Sequence, residues 1–291
     1  MESAAFLHFM IVLGLGTYLP CVTYCSHFTV SSEGTPQDIE ETIIDRCDTF
    51  NAKAESNRSC QEIWQSFKKA FALKSPCQSE FDYSEYMEKT EDQIPNSKTL
   101  LWSGVKAAAM EYSKNCGLVT LGDTLTGFLL EDLTWCGKEE DPGINYETCE
   151  PCGNGTVSPY IAFWKQASEN IAIKSSGVVS VMLSGKNDLA YNKSSFFAMY
   201  ELPNLDSKVT EVRILLRDKT DKEHCNNGTV NELKSKLVSK ELKPSCIDNE
   251  TVIDDVCNDD TVGDGSRIIA STETIFSFIV FYLMLPKFCS C

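Results

Sequence analysis

The stretch SSFFAMYELPNL, residues 194–205, places one carboxylate, Glu201, after a run of aromatic residues and before a Pro-Asn turn. A carboxylate beside flat rings is suited to face a cation. Other chemistries lack their parts. Histidine occurs only at His8, His27 and His224, so Ser-His-Asp triads and histidine-ligated metals are without their basic group. The chain has no GxSxG elbow and no Walker loop, and its glycines form only loose pairs and no dinucleotide fingerprint. Taken alone, Glu201 is explained as a solvated strand residue, and the helical tryptophans Trp64 and Trp164 as core.

The elements that must position these residues can be read from composition and pattern. With 42% hydrophobic and 10% aromatic residues over 291 positions, the chain can bury a sizeable core in one or two domains. A net charge of -16 repels polyanions, so a nucleic-acid partner is excluded and any anionic ligand must be small and held by local donors. SCQEIWQSFKKAFAL opens with a capping box, Ser59 to Glu62, and carries Ile63, Trp64, Phe67 and Phe71 on one helical face. TLLWSGVKAAAMEYSKNCG reads as a short strand ending at Trp102, then a helix starting at Ser103 and stopped by Gly117. YIAFWKQASENIAIKSSG is a helix ended by Gly177. GVVSVMLSG and KVTEVRILL are strand-like, and TVNELKSKLV is a helix with a second capping box, Thr229 to Glu232. Helices alternating with strands predict an α+β or α/β fold, with a mainly helical lobe and a lobe built on a small, about four-stranded parallel sheet flanked by helices. A cleft between the lobes is expected.

Both ends read as processing signals. The apolar run Phe6–Leu19, followed by small residues at Thr23 and Cys25, predicts a secretory signal peptide over residues 1–25. At the other end, small residues at Gly263–Ser266, a mostly polar spacer and the apolar tail Ile275–Leu285 form the pattern of a glycosylphosphatidylinositol (GPI) anchor signal over 263–291. The alternative, a transmembrane helix over 268–285, contains Glu273 and is marginal for a hydrocarbon core of about 30 Å. The predicted protein is therefore GPI-anchored on the outer face of the plasma membrane. Between the signals lie a helical lobe, 26–94 with 115–155, and an α/β lobe, 95–114 with 156–262; CEPCGNGTVSP is the expected linker.

Removing both ends takes Cys21, Cys25, Cys289 and Cys291 from the fourteen cysteines and leaves Cys47, Cys60, Cys77, Cys116, Cys136, Cys149, Cys152, Cys225, Cys246 and Cys257. That set is even and fits a disulfide-stapled fold in an oxidising compartment. CEPC is one CxxC with no second pair at zinc-ribbon spacing, so no metal site is expected. Sequons at Asn57, Asn154, Asn192, Asn227 and Asn249 agree with a secreted glycoprotein.

At TLLWSGV, TLGDTLTGFLLEDLTWCG, FWKQAS and SSFFAMYELPNL, in that order, the chain resembles the ADP-ribosyl cyclase family of NAD glycohydrolases, over roughly Cys47 to Cys257. The resemblance implies that Glu201 is the catalytic glutamate, that Trp102 and Trp164 are pocket tryptophans, and that Glu131 lines the nicotinamide end. It puts Ser103 near the pyrophosphate, where the amides of Ser103 and Gly104 at a helix start would form an anion site. Phe196 and Phe197 belong to the same substrate-binding set, Phe196 as a wall that favours cyclisation. The resemblance also implies the disulfides Cys47–Cys60, Cys77–Cys152, Cys136–Cys149 and Cys225–Cys246; Cys116 with Cys257 follows by elimination. Two departures are Gly122, where many members carry glutamate, and the last disulfide, for which the family uses two cysteines near the C-terminus where this chain has only Cys257.

The implied reaction is cleavage of the bond between ribose and the pyridinium nitrogen of NAD+, giving nicotinamide and ADP-ribose with some cyclic ADP-ribose. No general acid is required because nicotinamide leaves without a proton, and no cofactor is required beyond the substrate. Two rivals differ from this reading. A receptor or adhesion module on the same fold would have lost turnover, and a sugar glycosidase would ordinarily pair its nucleophile with a proton donor.

Overall fold

The structure, a computed structural model, describes residues 33–153 and 155–259. These fall into two compact units: residues up to Asp92 with Leu125–Ala167, and Gln93–Thr124 with the chain from Ser168 onward.

The first unit is helical. It contains α1 (Ile39–Ala54), α2 (Cys60–Phe71), α3 (Ser84–Lys89), a single turn α5 (Leu125–Phe128), and the first part of α6 (Pro159–Lys174), which continues into the second unit. Ser59 caps α2 by accepting the Glu62 amide. The stripe predicted on that helix, Ile63, Trp64, Phe67 and Phe71, is buried. Phe67 sits at its centre, with Phe71, Tyr83, Tyr86 and Trp135 at ring centroid distances of 5.0–6.1 Å. Each fully buried aromatic of this kind contributes roughly 1.5–3 kcal/mol through area removed from water. Trp135 Nε1 donates to the Tyr83 hydroxyl at 2.8 Å, so two rings are buried without orphaning either polar group.

The second unit is built on a four-stranded, all-parallel sheet in the order β1 (Leu100–Trp102), β2 (Gly177–Ser184), β3 (Val209–Arg217), β4 (Lys243–Ile247). Alternation along the strands feeds two cores. Leu101, Val181, Ile214 and Leu216 pack with Ile171 of α6, with Val230, Leu233 and Leu237 of α7 (Gly228–Ser239), and with Phe197 and Leu202. Leu100, Met182 and Leu215 pack on the opposite side with Ala109 and Tyr112 of α4 (Lys106–Cys116) and Ile253 of α8 (Glu250–Asp259). Burial on both faces is why GVVSVMLS and VRILL read as continuous apolar runs. The fold class expected from the sequence is the one observed.

Four disulfides join Cys47–Cys60, Cys77–Cys152, Cys136–Cys149 and Cys225–Cys246, the pairs implied by the resemblance. Cys116 is also disulfide-bonded; the side chain of its expected partner, Cys257, lies outside the described residues. Asn57, Asn192, Asn227 and Asn249 are exposed, whereas Asn154 and the two terminal signals lie outside the described residues. Among the described residues no helix is long and apolar enough to cross a membrane.

Three local expectations are corrected. The helix expected from Ser103 begins at Lys106, leaving Ser103 and Gly104 in the connection from β1. The box expected between Thr229 and Glu232 does not form. Glu232 pairs with Lys193, and the Thr229 amide is held instead by Glu223, a more distant acid brought in by the preceding loop. Gly177 does not stop a helix, since α6 ends at Lys174 and Gly177 opens β2.

The glycine at 177 has a structural reason. Its φ is +69°, and an added Cβ would lie 2.2 Å from Ser97 Oγ and 2.5 Å from Asn96 Oδ1, the turn that leads into β1. Ser97 Oγ in turn accepts the Val178 amide. Gly177→Ala should therefore lower the free energy of unfolding by at least about 1–2 kcal/mol, the cost of left-handed backbone for an L-residue, with the clash adding to it. Urea unfolding followed by fluorescence checks this, and an unchanged midpoint would contradict it.

Candidate active site

Glu201 is not a strand residue. It closes a π-helical turn, Phe197–Glu201, that continues into a short 3-10 turn at Leu202–Asn204. The aromatic run divides here. Phe197, expected among the substrate-binding residues, is buried in the sheet core and meets Tyr191 edge-on, where it anchors the turn. Phe196 is half-buried, with its ring 5.2 Å from Tyr200 in a T-shaped arrangement. With Ala198 and Leu202 also in the core, the turn has one buried side that fixes where Glu201 points. Turns of this kind are uncommon and recur at functional sites.

The Glu201 side chain is 7% exposed. Its Oε1 accepts from Ser168 Oγ at 3.1 Å, and Oε2 has no hydrogen-bond partner among the described residues. Burial pushes the carboxyl up to about 8, against which the Ser168 hydrogen bond is a smaller, opposing effect. A buried acceptor left open is costly unless something else completes it, and a hydroxyl or a positive centre would do so. Ser168 was not singled out in the sequence. Two signals were there: it closes the FWKQAS motif, and it follows Trp164 by one helical turn on α6 and so shares that face.

Trp102 is the last residue of β1, at the carboxyl edge of the parallel sheet, and β1 packs against the π-helical turn. The second unit therefore brings the Trp102 strand end and the Glu201 turn together. Ser103 is nearby but differently employed. Its amide donates to the Met182 carbonyl at 3.1 Å, so the anion site expected on the amides of Ser103 and Gly104 has lost one donor and has no helix start beneath it. Gly104 is exposed at φ +70°, and a Cβ there would meet the Asn187 side chain at 2.6 Å.

Trp164 and Glu131 belong to the first unit. Trp164 is half-buried, stacks edge-on with Phe163 and Tyr160, and has no partner for its Nε1 among the described residues. Glu131 lies in the turn after α5, where Arg46 Nη1 gathers the carbonyls of Leu129 and Glu131 at 3.1 and 2.8 Å. Gly122 lies in a one-turn 3-10 helix whose capping box joins Thr120 and Asp123. Among the described residues no group of three or more His, Cys, Asp and Glu is placed to hold a metal ion.

The comparisons with known proteins agree with one another. Residues 36–262 match the family model for ADP-ribosyl cyclase. The ADP-ribosyl cyclase/cyclic ADP-ribose hydrolase of Aplysia californica is 31% identical over 231 residues, covering 75% of this chain and 82% of the relative. An Aplysia cyclase structure complexed with substrate NGD and product cGDPR matches with a TM-score of 0.68 at 30% identity, covering 79% of this chain and 96% of that one. Porcine CD38 holding a covalent intermediate, ribo-F-ribose-5'-phosphate, matches with a TM-score of 0.70 at 34% identity, covering 75% and 99%. With four separated motifs, a four-stranded parallel sheet and this disulfide set in agreement, the chain belongs to the ADP-ribosyl cyclase family.

Proposed function

We propose that the protein cleaves NAD+ at the bond between ribose and nicotinamide, releasing nicotinamide and mainly ADP-ribose, with a minority of cyclic ADP-ribose. The observation that carries this reading is the state of Glu201: buried, half-satisfied by Ser168, and with Oε2 unpartnered among the described residues.

The electron accounting needs one anionic group and no acid. The bond between ribose C1 and the pyridinium nitrogen breaks with its electron pair going to nitrogen, so nicotinamide leaves neutral and the ribosyl group becomes cationic. Oε2 of Glu201 is the acceptor that meets this cation, while Ser168 holds the other oxygen in place. The relative caught with a covalent intermediate supports a reaction in which the ribosyl group stays on the enzyme after the base has gone. Water then adds at C1 and loses a proton to give ADP-ribose, or a ring nitrogen of the substrate's own adenine adds to give the cyclic product. The Aplysia structure with substrate NGD and product cGDPR supports the second branch. Trp102 supplies a ring at the sheet edge, Phe196 stands beside the catalytic turn, and Trp164 and Glu131 take the stacking and nicotinamide roles given by the resemblance. Neither a metal nor a further cofactor takes part.

The leader over 1–25, the sequons and the tail over 263–291 support a glycosylated protein held on the outer cell surface by a lipid anchor. Phosphatidylinositol-specific phospholipase should release it from intact cells. Retention on cells that shed an anchored control would indicate a peptide span.

Separating the products of purified ectodomain and NAD+ tests the reaction itself. Glu201→Gln should reduce turnover by roughly 10²- to 10³-fold, as for removal of one preorganised stabilising group, with NAD+ binding retained; turnover within about tenfold of wild type, worth 1.4 kcal/mol, would remove Glu201 from the mechanism.

A pH dependence follows from the raised carboxyl. The free enzyme must ionise Glu201 to act, so kcat/KM should rise with pH up to about 8. Bound NAD+ brings a positive ring that favours the anion, so the limb in kcat should lie at lower pH. For stability the sign is opposite: the folded state keeps a proton that the unfolded chain has released, so wild type loses stability relative to Glu201→Gln as pH rises from the carboxylate range toward 8, by at most about 1.4 kcal/mol per pH unit. Coincident kcat and kcat/KM limbs near the ordinary glutamate range would contradict the buried setting.

A further inference from the structure

A second buried glutamate lies in the same unit and has no role in the chemistry above. Glu223 is 5% exposed, and both its oxygens accept from one residue, Thr229, through the amide at 3.0–3.1 Å and the hydroxyl at 2.9–3.0 Å. The close approach depends on Gly228, where φ is +63° and a Cβ would lie 2.5 Å from Glu223 Oε2. The Thr229 hydroxyl has one proton, and a carboxylate offers only acceptors, so that proton goes to Glu223 and the hydroxyl lone pairs face away. They receive the amide of Tyr191 at 2.9 Å.

Tyr191 begins the segment that ends at Glu201. Its ring is buried edge-on against Phe197, the first residue of the π-helical turn. Between them, the Ser194 amide donates to Asn192 Oδ1 and the Ser195 amide to the Asn192 carbonyl, forming a tight turn. Ser195 then caps the π-helical turn, its Oγ accepting the Ala198 amide and its carbonyl the Met199 amide. Every link from Glu223 to the catalytic turn is thus a hydrogen bond, a ring contact or the chain itself.

We infer that Glu223 and Thr229 are positioning residues for catalysis: through Tyr191 they fix the π-helical turn, and with it the direction of Glu201 and the placing of Phe196. This rests on the reading of Glu201 as the catalytic carboxylate. The relay acts through geometry, because neither Glu223 nor Thr229 touches Glu201. A displacement too small to unfold the protein should still matter, since misplacing a reacting group by about 1 Å can cost on the order of 10²-fold in rate.

The test compares Thr229→Val with Thr229→Ser. Valine keeps the branched shape but leaves the Tyr191 amide without an acceptor and one Glu223 contact unmade; serine keeps both bonds. Thr229 is also the third residue of the sequon at Asn227, so Asn227→Gln serves as the control for a lost glycan and should match wild type. Thr229→Val should lose at least about tenfold in kcat with KM for NAD+ changed by less than about threefold, and Thr229→Ser should regain most of that loss. A purely structural role would not move the pH profile. The relay does, because a loosened turn lets water reach Glu201 and the kcat/KM limb shifts to lower pH. Should Thr229→Val fail to fold, Glu223→Gln, which keeps volume but is no longer acceptor-only, is judged by the same two readouts. Wild-type kcat and an unmoved limb in a folded variant would overturn the relay, as would a loss that merely follows the folded fraction. If Glu201→Gln is inactive while Thr229→Val is not, the relay alone falls; if Glu201→Gln remains active, the reading beneath it falls first.

Discussion

The burial of the Glu201 carboxyl is the constraint around which the rest of the second unit is arranged. A carboxyl taken out of water with one hydrogen bond and one open oxygen is unfavourable by itself, and it persists only where the surrounding packing determines its position more strongly than its own solvation does. Here that packing is the sheet core. Phe197, Ala198 and Leu202 lock the turn from below, and Ser168 reaches it from α6. The same burial that raises the carboxyl's proton affinity makes the anion effective against a nearby cation, because little water remains to screen it.

The sheet supports this by being covered on both faces. Each strand sends alternate residues to different helices, so β1 cannot shift without disturbing α4 on one side and the π-helical turn on the other. Its start is set by the contact between Gly177 and the Asn96–Ser97 turn, and its end carries Trp102. Ligands of open parallel sheets bind at the carboxyl ends of strands, and Trp102 stands at such an end. The aromatic core and disulfides of the first unit do a different job, holding a helical body together where short helices such as α3 and α5 would be unstable alone.

An acidic protein that binds a dinucleotide must find its anion donors locally. The Ser103 amide is unavailable, being spent on Met182 in continuation of the sheet ladder. That follows from where α4 starts: with Lys106 as its first residue, Ser103 is still extending the strand pairing. A shift of three residues in a helix start thus changes a candidate ligand into part of the scaffold.

Much of this was legible in the chain. The stripe of α2, the apolar runs of β2 and β3 and the resemblance at four motifs depend on local periodicity or on residue identity, both of which a sequence displays. What depended on distance was not legible. Ser168 and Glu201 are 33 residues apart and no local pattern links them. Thr229 has an acid three residues ahead and another six behind; the capping rule selects Glu232, while the folded loop delivers Glu223 because Gly228 lets it approach. Phe196 and Phe197 are identical neighbours in the chain, yet the π-helical turn sends one toward the surface and the other into the core. The sequence alone determined which residue types the site has available and which elements carry them. Only the tertiary structure decided which carboxylate is buried, which oxygen is left open and which amides are already spent, because burial and hydrogen-bond occupancy are properties of neighbours in space and not of neighbours along the chain.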